Sequence, residues 1–279
     1  MSTELVLLGT AGGPIPRSER RAPSQVVLVD GAAYLVDCGN GVAQQLWSAG
    51  VPYGSLRSVF VTHHHSDHNA DVGNLFLLAW PALVAPVLVV GPPPLSEMMD
   101  AFFAMNRFDI ETRALDEGRP PLRQFVCTEE ICKDGLVYAD ERVRVTAALV
   151  DHPPIETAFA YRIDTEDRSI VISGDTRPSD ALVELARGAD VLVHEALYAP
   201  AIEMFAQGNN GTQIREHILG SHTPVSEVGS LAERAGVACL VLSHLAPANS
   251  GVVSDEAWRV EAQRGYSGTV VVGRDLMRL

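Results

Sequence analysis

The chain has 279 residues, 47% of them hydrophobic, and a formal net charge of −14 at pH 7. This hydrophobic fraction is enough for a continuous core, and no run approaches the roughly 20 apolar residues of a membrane span. Lys133 is the only lysine, whereas nucleic-acid-binding proteins usually neutralise phosphates with clustered lysine and arginine. Apart from a short arginine cluster at 17–21, no basic patch is visible, so we expect nucleic acid to be an unlikely partner.

The amino terminus and the cysteines indicate the compartment. The first ten residues, MSTELVLLGT, have no basic region before their apolar run, so they predict a strand rather than a signal peptide. The four cysteines are Cys38, Cys127, Cys132 and Cys239. Cys127 and Cys132 could bridge, but without an export signal reduced thiols in a cytoplasmic protein are the better interpretation.

The first half of the chain alternates strand and helix signals. Apolar runs predict strands at 4–10, 24–30, 33–38, 57–62 and 86–90. Helices are predicted at 41–48, with Asn40 as its cap and Trp47 on its buried side, after the histidines near 63–68, and at 95–106. The segment 107–135 mixes charges, prolines and scattered apolar residues, which predicts either an irregular lid near the site or an ordinary surface loop.

The second half of the chain has strands that end at polar residues. Strands are predicted at 143–150, 157–164, 169–173, 191–193 and 239–243, with helices at 179–187 and 224–235. Five polar residues each closely follow an apolar run, and packed sheets would place them along one rim. These residues are His63, His152, Asp175, Glu195 and His244. Periodicity by itself supports a mixed α/β fold.

The stretch 59–75 carries the most chemical information, because His63, His65, Asp67 and His68 follow one predicted strand within a few residues. Alternation at a strand end lets His63 and His65 project to one side while His64 points away. Imidazole nitrogens with a carboxylate oxygen are the ligands expected for zinc or a similar divalent metal. The alternatives are a histidine-rich surface loop or a single chance metal site.

The spacing H-x-H-x-D-H resembles the signature of the metallo-β-lactamase superfamily. Residues 7–14 (LLGTAGGP) and 36–41 (VDCGNG) are similar to the branch that contains ribonuclease Z and the zinc-dependent arylsulfatase-like hydrolases. The resemblance covers almost the whole chain, from about residue 5 to 277. It implies a four-layer αββα sandwich, which we expect to form a single domain over 1–279, with the possible lid at about 107–135.

The resemblance also implies a ligand set for two divalent metal ions. Zn²⁺ is the favoured ion, because diiron relatives carry a carboxylate where this chain has His65, although Mn²⁺ or Fe²⁺ could use the same ligands. A lone histidine at a strand end, or an aspartate in a turn, could instead be structural. One ion is expected at His63, His65 and His152, the second at Asp67, His68 and His244, and Asp175 is expected to bridge both.

Two further motifs resemble those of ribonuclease Z. They are VHEA at 193–196 and SHTP at 221–224, and by resemblance they pair Glu195 with His222 beside the metals, although Pro224 stands where a threonine is usual. With Asp67 these residues form the expected catalytic group, His222 acting as general acid. The alternative is that Glu195 and His222 are structural. Asp37 is a candidate partner for a ligand histidine N–H, while His64, His194 and His217 fall on no expected ligand or proton-donor position.

These residues predict a dinuclear metal-dependent hydrolase that attacks an ester-type bond by metal-bound hydroxide. The bond could be a phosphodiester, a sulfate ester, a carboxylic ester or a lactone, and the expected partner is a small molecule, with a homodimer left open. One alternative is a tRNA 3′-processing endonuclease like ribonuclease Z, although no protruding basic arm is visible. The other is a non-catalytic metal-binding regulatory protein.

Overall fold

The structure is a computed structural model that describes residues 2–204, 210–249 and 251–279. Its strands in these residues are β1 (Thr3–Gly9), β2 (Ser24–Val29), β3 (Ala32–Val36), β4 (Leu56–Phe60), β5 (Val87–Gly91), β6 (Val126–Glu130), β7 (Gly135–Ala139), β8 (Arg144–His152), β9 (Ile155–Asp164), β10 (Ser169–Ile172), β11 (Val191–Leu197), β12 (Cys239–Ala246), β13 (Thr269–Val272) and β14 (Met277–Arg278).

The helices surround these strands. In the described residues they are α1 (Val42–Ser48), α2 (Ser66–Asn69), α3 (Val72–Ala79), α4 (Leu95–Met105), α5 (Arg107–Asp116), α6 (Asp180–Leu185), α7 (Gly211–Ser221), α8 (Val225–Ala235) and α9 (Asp255–Ala262). Short 3₁₀ helices occur at Tyr53–Ser55, Trp80–Ala82, Leu122–Phe125 and Ala199–Met204. No helix of the described chain is both long and apolar enough to span a bilayer.

Two seven-stranded sheets form the centre of the molecule. The first has the order β14-β1-β2-β3-β4-β5-β6, and the second has the order β13-β12-β11-β10-β9-β8-β7. Strands β3 to β6 are parallel, as are β10 to β13, and the remaining pairs are antiparallel. The carboxyl ends of parallel strands meet at one edge of a sheet, which is where α/β proteins commonly bind ligands.

Alternation along the strands separates three layers of core. In β1, Leu5 and Leu7 face the second sheet, whereas Val6 and Leu8 face the helices. Phe159 and Tyr161 on β9 pack from the opposite side into the layer between the sheets. Helices α1, α3 and α4 cover the first sheet, and α6, α8 and α9 cover the second. The predicted four-layer αββα sandwich is therefore confirmed.

The segment 107–135 is regular, so the expectation of irregular structure there was wrong. It forms α5, and its β6 pairs in parallel with β5 at the edge of the first sheet. The sequence gives little sign of α5 because its apolar face is narrow, with only Ile110 and Ala114 partly buried against the core. Ion pairs at a spacing of four residues stabilise the helix, among them those of Arg113. None of the described residues in this segment lines the cavity at the site below.

The first helix differs from the prediction in two ways. Trp47 is 73% exposed rather than buried, and it packs beside Tyr53 on the surface. The N-cap position is Gly41 in a left-handed conformation (φ 88°), not Asn40. Glycine adopts this backbone without strain, so the turn into α1 depends on Gly41.

Two helical glycines give a matched test of the packing. A Cβ at Gly229 of α8 would lie 2.1 Å from the carbonyl oxygen of Ala262, whereas a Cβ at Gly220 of α7 meets nothing within 4 Å. We expect Gly229→Ala to lower the free energy of unfolding by about 1–3 kcal/mol through overpacking. Gly220→Ala should raise it by about 0.5–1 kcal/mol, because alanine favours the helix. Urea denaturation measures both, and equal effects would contradict this packing.

Candidate metal centre

The seven expected ligands converge at one edge of the two sheets. His63 and His65 follow β4, and Asp67 and His68 lie on the short helix α2. The other three come from the second sheet, at the end of β8, after β10 and within β12. They are His152, Asp175 and His244.

The first group offers three imidazole nitrogens and one carboxylate oxygen. His65 Nδ1 lies 3.0 Å from His63 Nε2 and 3.1 Å from His152 Nε2. Asp175 Oδ2 lies 3.8 Å from His63 Nε2 and 4.0 Å from His152 Nε2. Ligands bound at 2.0–2.1 Å to a tetrahedral ion lie about 3.3–3.4 Å apart, so this group has dimensions that suit one ion.

The second group shares Asp175 with the first. His68 Nε2 lies 3.2 Å from Asp175 Oδ1, and His244 Nε2 lies 3.2 Å from Asp175 Oδ2. Asp67 Oδ2 completes the group at 3.3 Å from His244 Nε2 and 3.7 Å from His68 Nε2. Within each group all ligand atoms lie within 4.8 Å of one another. Asp175 is therefore placed to contact two ions at once.

Hydrogen bonds fix the ring orientation of His63 and His68. Asp37 accepts from the Thr62 hydroxyl at 2.9 Å and from His68 Nδ1 at 2.7 Å. Since the single hydroxyl hydrogen of Thr62 goes to Asp37, its oxygen accepts from His63 Nδ1–H at 3.1 Å. Both Nε2 atoms are thereby turned toward the centre, as is usual for histidines that bind metal.

His152 and the unpaired polar atoms also fit a metal. The Nδ1–H of His152 donates to the carbonyl oxygen of Ser221 at 2.9 Å, so its Nε2 presents a lone pair toward His65. Among the described residues, His68 Nε2 and Asp175 Oδ1 are buried without a hydrogen-bond partner. Buried polar atoms without a hydrogen-bond partner are uncommon in folded proteins, and bound cations would satisfy these two.

The protonation of the first group favours metal binding. Burial lowers the pKa of His63, His65 and His152, in the case of His65 to about 4, so these imidazoles are neutral at pH 7. Burial alone would raise the pKa of Asp175, which this group shares with the second, but the charges of His244 and His68 outweigh it and hold the carboxyl ionised. Neutral imidazole and ionised carboxylate are the forms that bind metal.

Glu195 and His222 form a pair beside the two groups. His222 Nδ1 donates to both carboxylate oxygens of Glu195, at 3.0 and 3.1 Å. Burial lowers the pKa of His222, but the charge and hydrogen bond of Glu195 outweigh it and raise this pKa to about 9. Its ring stacks on His244, with the ring centroids 5.7 Å apart. The arrangement can hold a proton next to the centre.

An open cavity of about 630 Å³ leads to the centre. Its floor carries ligands of both groups, and its walls come from the loop 12–17, from α7 and from the loop after β12. Gly12 is needed in this loop, because a Cβ there would lie 3.0 Å from the imidazole of His244. The backbone N–H of Gly13 donates to Asp67 at 3.1 Å. The loop thus packs directly on the centre.

Several residues at the centre carry no signal of their own in the sequence. Thr62 and Ser221 orient ligand histidines, and Arg17 and His217 line the cavity. The expectation that His64 points away agrees with its hydrogen bonds to Pro92 and Asn69. His194 is fully buried on β11. Serine and threonine are common in any chain, so only the tertiary structure reveals the role of Thr62 and Ser221.

Comparison with known proteins identifies relatives along the full chain. A family model described as a beta-lactamase superfamily domain matches residues 32–245. The ribonuclease Z of Mycobacterium bovis (strain BCG / Pasteur 1173P2) is 36% identical, with 99% of this chain and 97% of the relative covered. The ribonuclease Z of Mycobacterium marinum is 36% identical, with 99% and 98% covered.

Solved structures share the fold at lower identity. The metallo-beta-lactamase fold protein YhfI from Bacillus subtilis aligns with a TM-score of 0.74 at 22% identity, covering 100% of both chains. The short form of human tRNase Z (ELAC1) aligns with a TM-score of 0.73 at 21% identity, covering 99% of this chain and 98% of that one. These likenesses support the fold rather than a substrate.

These relatives overturn the expectation that nucleic acid is an unlikely partner, since several are ribonucleases that match along the whole chain. The expectation rested on the net charge of −14 and on the lack of clustered lysine and arginine. A net charge counts every carboxylate alike, wherever it lies. Four of those carboxylates are buried at the centre among histidines, where bound metal cations would offset their negative charge. They belong to Asp37, Asp67, Asp175 and Glu195, each at most 6% exposed.

The family model matches most of the chain, and the ribonuclease Z relatives exceed one third identity over nearly all of it. The described centre provides clustered imidazole and carboxylate groups that can hold metal ions. The chain therefore belongs to the beta-lactamase superfamily, within its ribonuclease Z branch, and is a metal-dependent hydrolase.

Proposed function

We propose that the chain is an endonuclease of the ribonuclease Z type, which hydrolyses one RNA phosphodiester in a precursor tRNA. The observation that carries this proposal is the pairing of His222 with Glu195 next to two groups of ligand atoms that share Asp175. A proton donor placed beside two cation sites suits the hydrolysis of a phosphodiester with a basic leaving oxygen. The 36% sequence identity to a ribonuclease Z over 99% of this chain supports RNA as the substrate.

We assign each of the two groups of side chains to one metal ion. Neutral imidazoles with few carboxylates favour zinc over magnesium or calcium, which prefer oxygen ligands. Two zinc ions held here would lower the pKa of the attacking water and balance charge on the phosphate. The first ion would be held by His63, His65 and His152, the second by Asp67, His68 and His244, with Asp175 between them.

We assign the proton transfer to His222. Its Nδ1 is held by Glu195, so its other ring nitrogen is the one available to a leaving oxygen. Glu195 is itself fixed, because one of its oxygens accepts from the backbone N–H of Thr176 at 2.8 Å. Glu195 therefore orients the imidazole and favours its protonated form.

Arg17 is the cation that we assign to the substrate phosphates. It lines the cavity, and its Nε is buried without a hydrogen-bond partner among the described residues. A guanidinium binds phosphate through directed hydrogen bonds. By contrast, Arg20 in the same loop is buried and donates to Thr10 and to the carbonyl oxygen of Gly273, so its role is structural.

The adjacent histidines give a matched test of the metal and of the activity. We expect zinc-loaded protein to cut a precursor tRNA once, at the start of its 3′ trailer. His65→Ala should lose bound zinc and this cleavage, because His65 Nδ1 lies between two other ligand atoms. His64→Ala should keep both, since His64 binds Pro92 and Asn69 instead.

Elemental analysis and gel electrophoresis of the labelled tRNA measure these outcomes. Zinc bound in full by His65→Ala would contradict the ligand assignment. Failure of the zinc-loaded protein to cut precursor tRNA, despite turnover of a simple phosphodiester, would contradict the RNA substrate.

The leaving group tests His222. We expect His222→Ala to retain zinc and to cleave RNA roughly 100-fold more slowly or worse, since general acid catalysis contributes at least that much. A nitrophenyl phosphodiester needs no proton on its leaving oxygen, so its hydrolysis should change little. Steady-state kinetics on the two substrates measure the contrast, and equal slowing of both would argue against a general acid.

Salt dependence tests Arg17. We expect Arg17→Ala to raise the KM for precursor tRNA. The slope of the logarithm of the binding constant against the logarithm of the salt concentration should become shallower by about one, as for the loss of one phosphate contact. Arg21→Ala is the matched control, because Arg21 is exposed in the same loop but does not line the cavity. Binding measured across a salt series separates the two, and identical slopes for both variants would refute the assignment.

A further inference from the structure

A histidine outside both ligand groups faces the same space. His217 lies on α7, half-buried in the cavity wall. Its ring centroid is 6.2 Å from that of His65, 6.4 Å from that of His152 and 6.2 Å from that of His222. This position is too far to join the ligand groups, but it is near enough to contact a substrate bound between His65 and His222.

Ser221 determines which ring nitrogen of His217 carries the hydrogen. The Ser221 hydroxyl donates its single hydrogen to the carbonyl oxygen of Pro153. Its oxygen is therefore left to accept, and His217 Nδ1 lies 3.3 Å away, so Nδ1–H is the donor.

His217 Nε2 consequently presents a lone pair to the cavity. None of the residues described at this wall donates a hydrogen bond to it. The oxygens of a phosphodiester only accept, so a lone pair beside the scissile phosphate suits a donor elsewhere on the substrate. In RNA the nearest such donor is the ribose 2′-hydroxyl, on the carbon next to the one that bears the 3′-oxygen.

The spacing of His217 and His222 fits this pair of oxygens. An oxygen hydrogen-bonded at about 2.8 Å to a ring nitrogen lies roughly 4 Å from the ring centroid. Two imidazoles whose centroids are 6.2 Å apart can therefore contact two oxygens on neighbouring carbons of one ribose. His222 would serve the leaving 3′-oxygen and His217 the 2′-hydroxyl.

The cavity offers a place for the attached base. Ile214 and Ile218 lie one turn apart on α7, on the same face as His217, and Ile15 of the facing loop is 63% exposed. Apolar side chains beside the ribose position suit the flat face of a nucleobase, and the volume of about 630 Å³ admits a nucleotide.

We propose that His217 determines specificity, accepting a hydrogen bond from the 2′-hydroxyl of the ribose whose 3′-oxygen leaves. This inference rests on the proposed RNA cleavage and adds to it a reason for preferring ribose to deoxyribose at one position. His217 contacts neither the attacking water nor the phosphate in this role. Its effect on the reaction comes only from holding one ribose in position.

The test compares the wild-type protein and its variants on two substrates that differ at one sugar. Zinc-loaded protein is given precursor tRNA that carries either ribose or 2′-deoxyribose at the nucleotide preceding the cut. The wild-type protein should prefer ribose in kcat/KM by roughly three- to tenfold, the effect of one uncharged hydrogen bond. His217→Ala should cut both substrates equally, because it has lost the acceptor.

Two further variants complete the design. His217→Gln should recover part of the ribose preference, since its carboxamide oxygen reaches the position of Nε2. Gln213→Ala, on the exposed side of α7, should keep the preference in full. Zinc content is measured for each variant, so that loss of metal is not mistaken for loss of specificity.

The outcomes separate the two proposals. If His217→Ala slows both substrates but leaves their ratio at the wild-type value, the 2′-hydroxyl contact is refuted while RNA cleavage stands. The same holds if the wild-type protein shows no preference for ribose. If zinc-loaded wild-type protein cleaves no precursor tRNA, the proposed function is refuted together with this inference.

Discussion

A buried carboxylate imposes the main constraint on this fold. Asp175 is 2% exposed, and imidazole nitrogens approach it at 3.2–4.0 Å from both sheets. An ionised carboxylate without compensation would be strongly destabilising in such a place. The compensating groups follow β4 in the first sheet and lie on β8 and β12 in the second. The apolar layer between the sheets therefore does more than stabilise the chain, because it fixes the distance between the two halves of the centre.

Contacts around Asp37 and His244 fix the orientation of the histidines that meet at the centre. Asp37 and His244 both adopt left-handed backbone conformations, with φ of 61° and 43°, which cost about 1–2 kcal/mol per residue. Asp37 gains hydrogen bonds from Thr62 and His68 in return. Backbone strain of this kind persists where surrounding contacts hold it in place, which is typical of functional sites. The protein's own hydrogen bonds thus orient these histidines.

The sequence predicts the parts of this structure that are buried on both sides. Strand β10 ends in the apolar run 170–172 and β11 begins with the apolar run 191–193, so the polar residues that follow them, among them Asp175 and Glu195, stand out. It does not predict α5, whose surface charges pair within the helix, or the edge strand β6, whose residues are mostly exposed. Nor does it reveal the roles of Ser221 and His217, because these depend on the docking of α7 against the end of β8.

The distribution of charge bears on the proposed RNA substrate, because the protein as a whole is acidic. Most surface arginines lie beside carboxylates, as Arg278 does with Glu4 and Arg259 with Glu256, so they attract phosphates weakly. The buried Nε of Arg17 has no such partner among the described residues. We expect attraction for a polyanion to be strongest at the metal centre and the adjacent loop, where Arg17 would lie beside bound cations. Such an arrangement favours recognition of one phosphodiester and its neighbouring sugar over binding along the length of an RNA.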